Sequence, residues 1–180
     1  MNREAESIYG RALPLTVHHT AYVDDYVEIG ERVHVHCFAS IGTAPFSYTR
    51  DDAGRLVKKQ RTRAAFIGDD VEIMAHANVD AGLEVPTRVG RGTKIDHYAH
   101  VGHDSQVGED VVVCAQAFIG GFVEIGDRAY IGAQACIKPR VKIGAGAKVG
   151  MGAVVIHDVP PGATVAGCPA RVIRAAEVTA

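Results

Sequence analysis

From Val89 to Val155 every sixth residue is valine or isoleucine, without exception. Four places after each stands something compact, in a series that opens Thr93, Ala99, Ser105 and closes Ala147, Ala153, Val159. The place directly after each column residue is most often glycine. A strict period of six excludes an α-helix, because at about 100° per residue the apolar stripe would wander around the cylinder and face no single core. It suits short flat strands joined by corners. β-Branched residues favour the pleated backbone, and glycine is expected where the chain must turn and a side chain would clash. Three such strands close a triangular coil of about 18 residues, and successive coils stack roughly 4.8 Å apart through parallel ladders. Each fully buried Val or Ile contributes about 1.5–3 kcal/mol, so the column is the expected core of an all-β solenoid.

The same rhythm is present earlier, at Val17, Val23, Ile29, Val35 and Ile41. It breaks from about Pro45 to Phe66, resumes at Ile67, Ile73 and Val79, and slips by a short excursion at Gly82–Pro86 before Val89 restores phase. The expected organisation is a lead-in over 1–16, about seven coils over 17–160 with a long insertion at 45–66, and a closing cap and tail over 161–180. Within the lead-in, Glu4 to Arg11 is expected to form one short helical turn that Pro14 ends. The insertion carries Phe46, Tyr48 and a basic run that includes Arg55, Lys58 and Lys59. It reads either as a solvated protrusion or as an aromatic and basic cover over an acceptor that carries phosphate.

Length and charge narrow the function classes. The chain has 180 residues and a net charge of −2, with Lys and Arg scattered, which indicates one domain and no nucleic-acid partner. No apolar run approaches the roughly 20 residues of a membrane span, and the polar start Met1-Asn2-Arg3-Glu4 is unlike a secretory leader. Cys37, Cys114, Cys136 and Cys168 form no CxxC pair, so reduced thiols and a cytoplasmic location are expected.

Chemistry concentrates in Asp96-His97-Tyr98-Ala99-His100-Val101-Gly102-His103-Asp104. In the six-residue frame His97 and His103 project from successive strands and therefore from different faces, so one protomer cannot readily join them on a metal, and no metal is expected. One coil up from His103 is Gly121. That stacking would set an imidazole beside a glycine amide, which are a base for an attacking amine and a donor for the developing oxyanion of an acyl transfer. His76, Tyr98, Gln116 and Gln134 are expected to stack as a polar ladder on one outer face.

Runs such as Ile131-Gly132-Ala133-Gln134-Ala135 and Ile143-Gly144-Ala145-Gly146-Ala147 resemble the hexapeptide-repeat acyltransferases. The resemblance implies a left-handed parallel β-helix and a homotrimer with active sites between protomers. The segment His100 to Gly108 is similar to the catalytic segment of UDP-N-acetylglucosamine O-acyltransferase, UDP-3-O-acylglucosamine N-acyltransferase and bacterial UDP-amino-sugar N-acetyltransferases. It implies a general base at His103, an orienting acid at Asp104 and the oxyanion amide at Gly121. By the same resemblance His100, Asp96, Phe46, Tyr48 and Lys58 would meet the acceptor. The late Ala/Gly-rich coils and the tail Gly167-Cys168-Pro169-Ala170-Arg171 resemble acetyl-coenzyme A-dependent members, which makes Gly132, Lys148, Gly150 and Arg171 the expected donor contacts. Phe122 stands where the O-acyltransferase has a further histidine, and a separate uridine-binding domain like that of the N-acyltransferase is not expected, so a smaller amino-sugar acceptor is expected.

The expected function is transfer of an acyl group, acetyl or longer, from coenzyme A as co-substrate to an amino group of a nucleotide-linked sugar, with no permanently bound cofactor. Three alternatives accompany it. One is an acyl-carrier-protein-dependent acyltransferase of the lipid A type. Another is a γ-class carbonic anhydrase-like zinc protein, against which the uniform spacing of His97, His100 and His103 stands. The third is a non-enzymatic scaffold.

Overall fold

The column residues face one another across a narrow triangular prism. From Val89 to Val155 every member of the β-branched column is buried, and so is every member of the compact column from Thr93 to Val159. The computed structural model describes residues 14–61 and 63–175, so the expected helical turn at Glu4–Arg11 lies outside the described residues. The chain winds through about eight turns as a left-handed parallel β-helix. Among the described residues its three faces carry nine, seven and six strands. The first face begins with Thr16–Val17, the second with Tyr22–Val23 and the third with Glu28–Ile29. The parallel pairing continues past the last hexads, since Thr164–Ala166 pairs parallel with Lys148–Val149. Arg171–Arg174 then folds back antiparallel on Thr164–Ala166 and covers the open end of the ladder.

Glycine plays a different part from the one the sequence suggests. At the corners the left-handed residue is the third after the column and is often not glycine: His76 has φ 63°, Tyr98 59°, Asp104 62° and Phe122 60°. The glycine directly after the column serves close approach of neighbouring coils. A Cβ built on Gly102 would stand 2.8 Å from the Gly121 nitrogen.

Both interruptions of the repeat leave from one edge, the corner between the second and third faces. The insertion departs after the strand Ser40–Thr43 on the second face and returns at Ala65–Ile67 on the third. It contains a hairpin in which Tyr48–Arg50 pairs antiparallel with Leu56–Lys58. The Asp51 carboxylate accepts the Ala53 and Arg55 amides across its turn, and Gly54 takes φ 77°. The excursion Gly82–Pro86 lies one coil on, between Asn78–Asp80 and Thr87–Val89. The next coil places His103 at that corner, and the one above it places Gly121 there.

On the edge between the first and second faces, Phe38 stacks on His76 at 5.1 Å and His76 on Tyr98 at 4.8 Å. Gln134 donates to Gln116 at 2.8 Å, which completes the expected ladder.

Candidate active site at the corner between the second and third faces

His103 lies flat beneath Gly121, as an 18-residue coil requires. A Cβ on Gly121 would stand 2.7 Å from Cε1 and 2.8 Å from Nε2 of the imidazole, so only glycine leaves room for the ring. The imidazole is edge-on to Phe122, with centroids 5.2 Å apart, and Arg140 from the next coil sits 4.2 Å above the Phe122 ring. Phe122 thus walls the imidazole and cannot itself exchange a proton.

Nδ1 of His103 is 2.6 Å from Oδ2 of Asp104, whose side chain is fully buried. Burial alone would push the Asp104 carboxyl up. The amides of Val85 and Glu84, then His103 and the Leu83 amide, more than offset it and hold the group below the ordinary aspartate value. An ionised carboxylate only accepts, so the imidazole hydrogen resides on Nδ1 and the lone pair on Nε2. The His103 side chain is 19% exposed, so the ring is not sealed from solvent.

The donor opposite is set from behind. Ser105, buried in the compact column, donates its hydroxyl to the Gly120 carbonyl oxygen at 3.0 Å. In a trans peptide the N–H points away from the C=O, so the Gly121 N–H is turned out of the core. Among the described residues none accepts that N–H.

His100, on the second face beside this corner, stacks on Phe118 at 5.1 Å. Asn78 Nδ2 donates to its Nδ1 at 3.1 Å, and its Nε2 faces Asp80 Oδ2 at 3.6 Å. Burial lowers the His100 pKa; Asp80 opposes that shift and His103 adds to it. The two histidines therefore hold opposite tautomers. Asn78 also donates to Asp80 at 2.8 Å, and Ser40 and Thr43 donate to the Asn78 amide oxygen at 2.7 and 2.8 Å. The sequence reading missed this cluster. The available signal was Asp80 itself, a carboxylate in the slot that glycine usually fills.

Other expected residues are distributed over the surface. Phe46 and Tyr48 meet edge to face at 5.1 Å on the hairpin arm, with Phe46 91% exposed and Lys58 paired across from Tyr48. They leave from the same edge as His103, two coils below it. Asp96 stands on the edge between the first and second faces. There it accepts from the His97 amide and ring at 2.7 Å and from the Ala115 amide at 3.1 Å. The hydrogen bond from the His97 amide, outweighing burial, holds it below the ordinary value. One chain therefore does not bring Asp96 to His103. Gly132, Gly150 and Lys148 occupy the first face and the same edge as Asp96, in later coils, and Arg171 lies on the closing strand. A single protomer keeps these four apart from His103.

The bacterial transferase hexapeptide family (six repeats) matches residues 86–121 and 122–157. Over 88 residues the chain is 40% identical to UDP-3-O-acylglucosamine N-acyltransferase of Syntrophobacter fumaroxidans, covering 49% of this chain and 25% of that protein. The chain thus spans about a quarter of that relative's length. UDP-N-acetylglucosamine O-acyltransferase from Moraxella catarrhalis superposes with TM-score 0.70 at 21% identity, over 88% of this chain and 74% of that one. PerB from Caulobacter crescentus, solved in complex with CoA and GDP-perosamine, gives TM-score 0.52 at 26% identity, over 87% and 55%. With these matches and the stacked coils together, residues 86–157 carry the bacterial transferase hexapeptide repeat on a left-handed parallel β-helix, and the sequence is similar to an N-acyltransferase of acylated UDP-glucosamine.

Proposed function

We propose that the protein transfers an acyl group from a coenzyme A thioester to an amino group of a nucleotide-linked sugar, in clefts between the protomers of a cytoplasmic homotrimer. The observation that carries this reading is the juxtaposition of His103, backed by buried Asp104, with the outward N–H of Gly121. The acceptor nitrogen attacks the thioester carbonyl while His103 Nε2 takes its proton. Negative charge gathers on the carbonyl oxygen, where the Gly121 N–H donates. Collapse forms the amide and expels the thiolate, to which the imidazolium returns the proton. Asp104 keeps the ring oriented and supports its transient charge.

His100 and the hairpin's Phe46, Tyr48 and Lys58 are assigned to the acceptor. Gly132, Lys148, Gly150 and Arg171 of a neighbouring protomer are assigned to the donor, because one chain keeps them on a different edge from His103. Asp96 joins the site only if it too comes from a neighbour. The CoA and GDP-perosamine complex of PerB supports a coenzyme A donor. A second reading is an acyl-carrier-protein-dependent enzyme of the lipid A type; the Syntrophobacter relative, by name an N-acyltransferase of UDP-3-O-acylglucosamine, supports an acylated UDP-amino-sugar acceptor for it.

The test is a panel of acyl thioesters on coenzyme A and on acyl carrier protein against UDP- and GDP-linked amino sugars, with product mass as readout. Coenzyme A turnover that falls at least 100-fold in His103→Ala is expected. Turnover confined to the carrier-protein thioester would replace the first reading by the second. Undiminished turnover in His103→Ala would remove the proposed base.

A further inference from the structure

The excursion Gly82–Pro86 slips the register just below the proposed base, and every amide at its centre is turned toward one carboxylate. Glu84 N–H donates to Asp104 Oδ1 at 2.6 Å and Val85 N–H to the same oxygen at 2.7 Å. Leu83 N–H reaches Oδ2 at 3.1 Å, the oxygen that also takes the His103 ring. The Asp104 amide donates to the buried Thr87 hydroxyl at 2.9 Å, so the residue is held from its backbone as well. The turn is tight. A Cβ on Gly82 would stand 1.8 Å from the Val85 carbonyl oxygen. Its base is tied down by Ala81 N–H to Thr43 O, Gly82 N–H to Ala64 O and Gln106 Nε2 to Pro86 O.

We infer that this excursion is an anion-binding turn whose ligand is the Asp104 side chain, and that Gly82 and the Leu83–Val85 amides are positioning groups for the proposed base. Consecutive backbone amides converging on one point form a concavity that binds an anion. Here the bound anion is internal. Both Asp104 oxygens are occupied, so the carboxylate cannot rotate, and the imidazole that donates to Oδ2 is locked as the Nδ1–H tautomer. An ordinary corner of the helix could not do this, because a hexad turn offers no run of three inward amides. The inserted residues of the excursion supply them. Among the described residues, the other ionisable groups about the pair include His100 and Asp80 on the second face, Glu84 on the excursion, Arg63, whose Nε donates to the Glu84 carbonyl oxygen, and Arg140 across Phe122.

The inference rests on the proposed function only for its catalytic consequence, and nuclear magnetic resonance on the ¹⁵N-labelled chain tests the rest without activity. On acidification of the wild type, the Leu83, Glu84 and Val85 amide protons are expected to shift together with one midpoint, below the ordinary aspartate value of about 3.9. In Gly82→Ala, and in Glu84→Pro, which deletes one donor, the ring ¹⁵N shifts of His103 are expected to show a smaller Nδ1–H fraction at neutral pH. Acyl-transfer kcat should fall about 10- to 100-fold in both, with KM close to wild type. Amides that ignore the titration of Asp104, or both variants keeping the wild-type tautomer, would overturn the inference. If the tautomer responds as stated while the wild type transfers no acyl group, the anion-binding turn stands and the functional reading falls.

Discussion

Ser105 donates its hydroxyl to the Gly120 carbonyl oxygen at 3.0 Å, and the N–H of that same peptide belongs to Gly121. The hydroxyl also accepts the Val123 amide at 3.3 Å, so it ties both ends of the corner, Gly120 and Val123, to the core. A hydrogen bond to the carbonyl polarises the amide and strengthens the N–H as a donor. Ser105→Ala leaves a buried carbonyl unpaired and is expected to cost about 1–3 kcal/mol of stability. It should also lower kcat several-fold with KM little changed. Urea unfolding and steady-state kinetics check the two effects separately.

Gly121→Ala introduces a methyl 2.7 Å from the His103 ring at a position where φ is not left-handed, so the backbone tolerates the substitution while the imidazole does not. The ring must rotate away from Asp104. We expect kcat to fall about 100-fold with the far-ultraviolet circular dichroism spectrum unchanged. Activity near wild type would mean that the ring and the glycine amide do not act together.

Stability should depend on pH in two windows of the same sign. The folded pKa of Asp104 is depressed. Its contribution is therefore complete above the unfolded value of about 3.9 and is lost as pH falls through the lower folded value. The folded pKa of His100 is also depressed. Below its unfolded value of about 6.5 the unfolded chain takes up a proton that the folded one declines, so stability declines there too. Urea unfolding between pH 7.5 and 3 should show both slopes. His100→Gln should flatten the upper one, and Asp104→Asn the lower.

Phe46, at the hairpin's exposed base, packs on little besides Tyr48. Phe46→Ala is expected to change stability by no more than about 0.5 kcal/mol. If the hairpin covers the acceptor, the same variant raises the acceptor KM several-fold and leaves the thioester KM alone. Unaltered acceptor kinetics would return the hairpin to a solvated protrusion.

Gathering both interruptions of the repeat on one edge makes structural sense. A corner is where coils can lengthen with little disturbance of the ladders: Asn78↔His100 and Arg88↔Gln106 flank the excursion in register, and the insertion departs through one irregularity, where Asp80 pairs with Thr43. The returning limb of the insertion is also joined to the excursion, through Arg63 N–H to Gly82 O and Gly82 N–H to Ala64 O.

The amino-acid sequence alone determined the coil, the two inward columns and the stacking of Gly121 on His103. All three follow from counting in sixes, and a solenoid converts sequence distance directly into height and face. Where the count fails, sequence distance carries no position. Nothing in Gly82-Leu83-Glu84-Val85-Pro86 says that its amides will close on Asp104, nor does the spacing of Asp80 and His100 announce their contact. The same limit misread glycine, whose role at Gly102 is the approach of a second coil, invisible until the coil is wound. Tertiary structure decided that Asp80 stands behind His100 and which amides hold Asp104 behind His103, because hydrogen-bond partners in the irregular segments are chosen by what the finished prism leaves within reach.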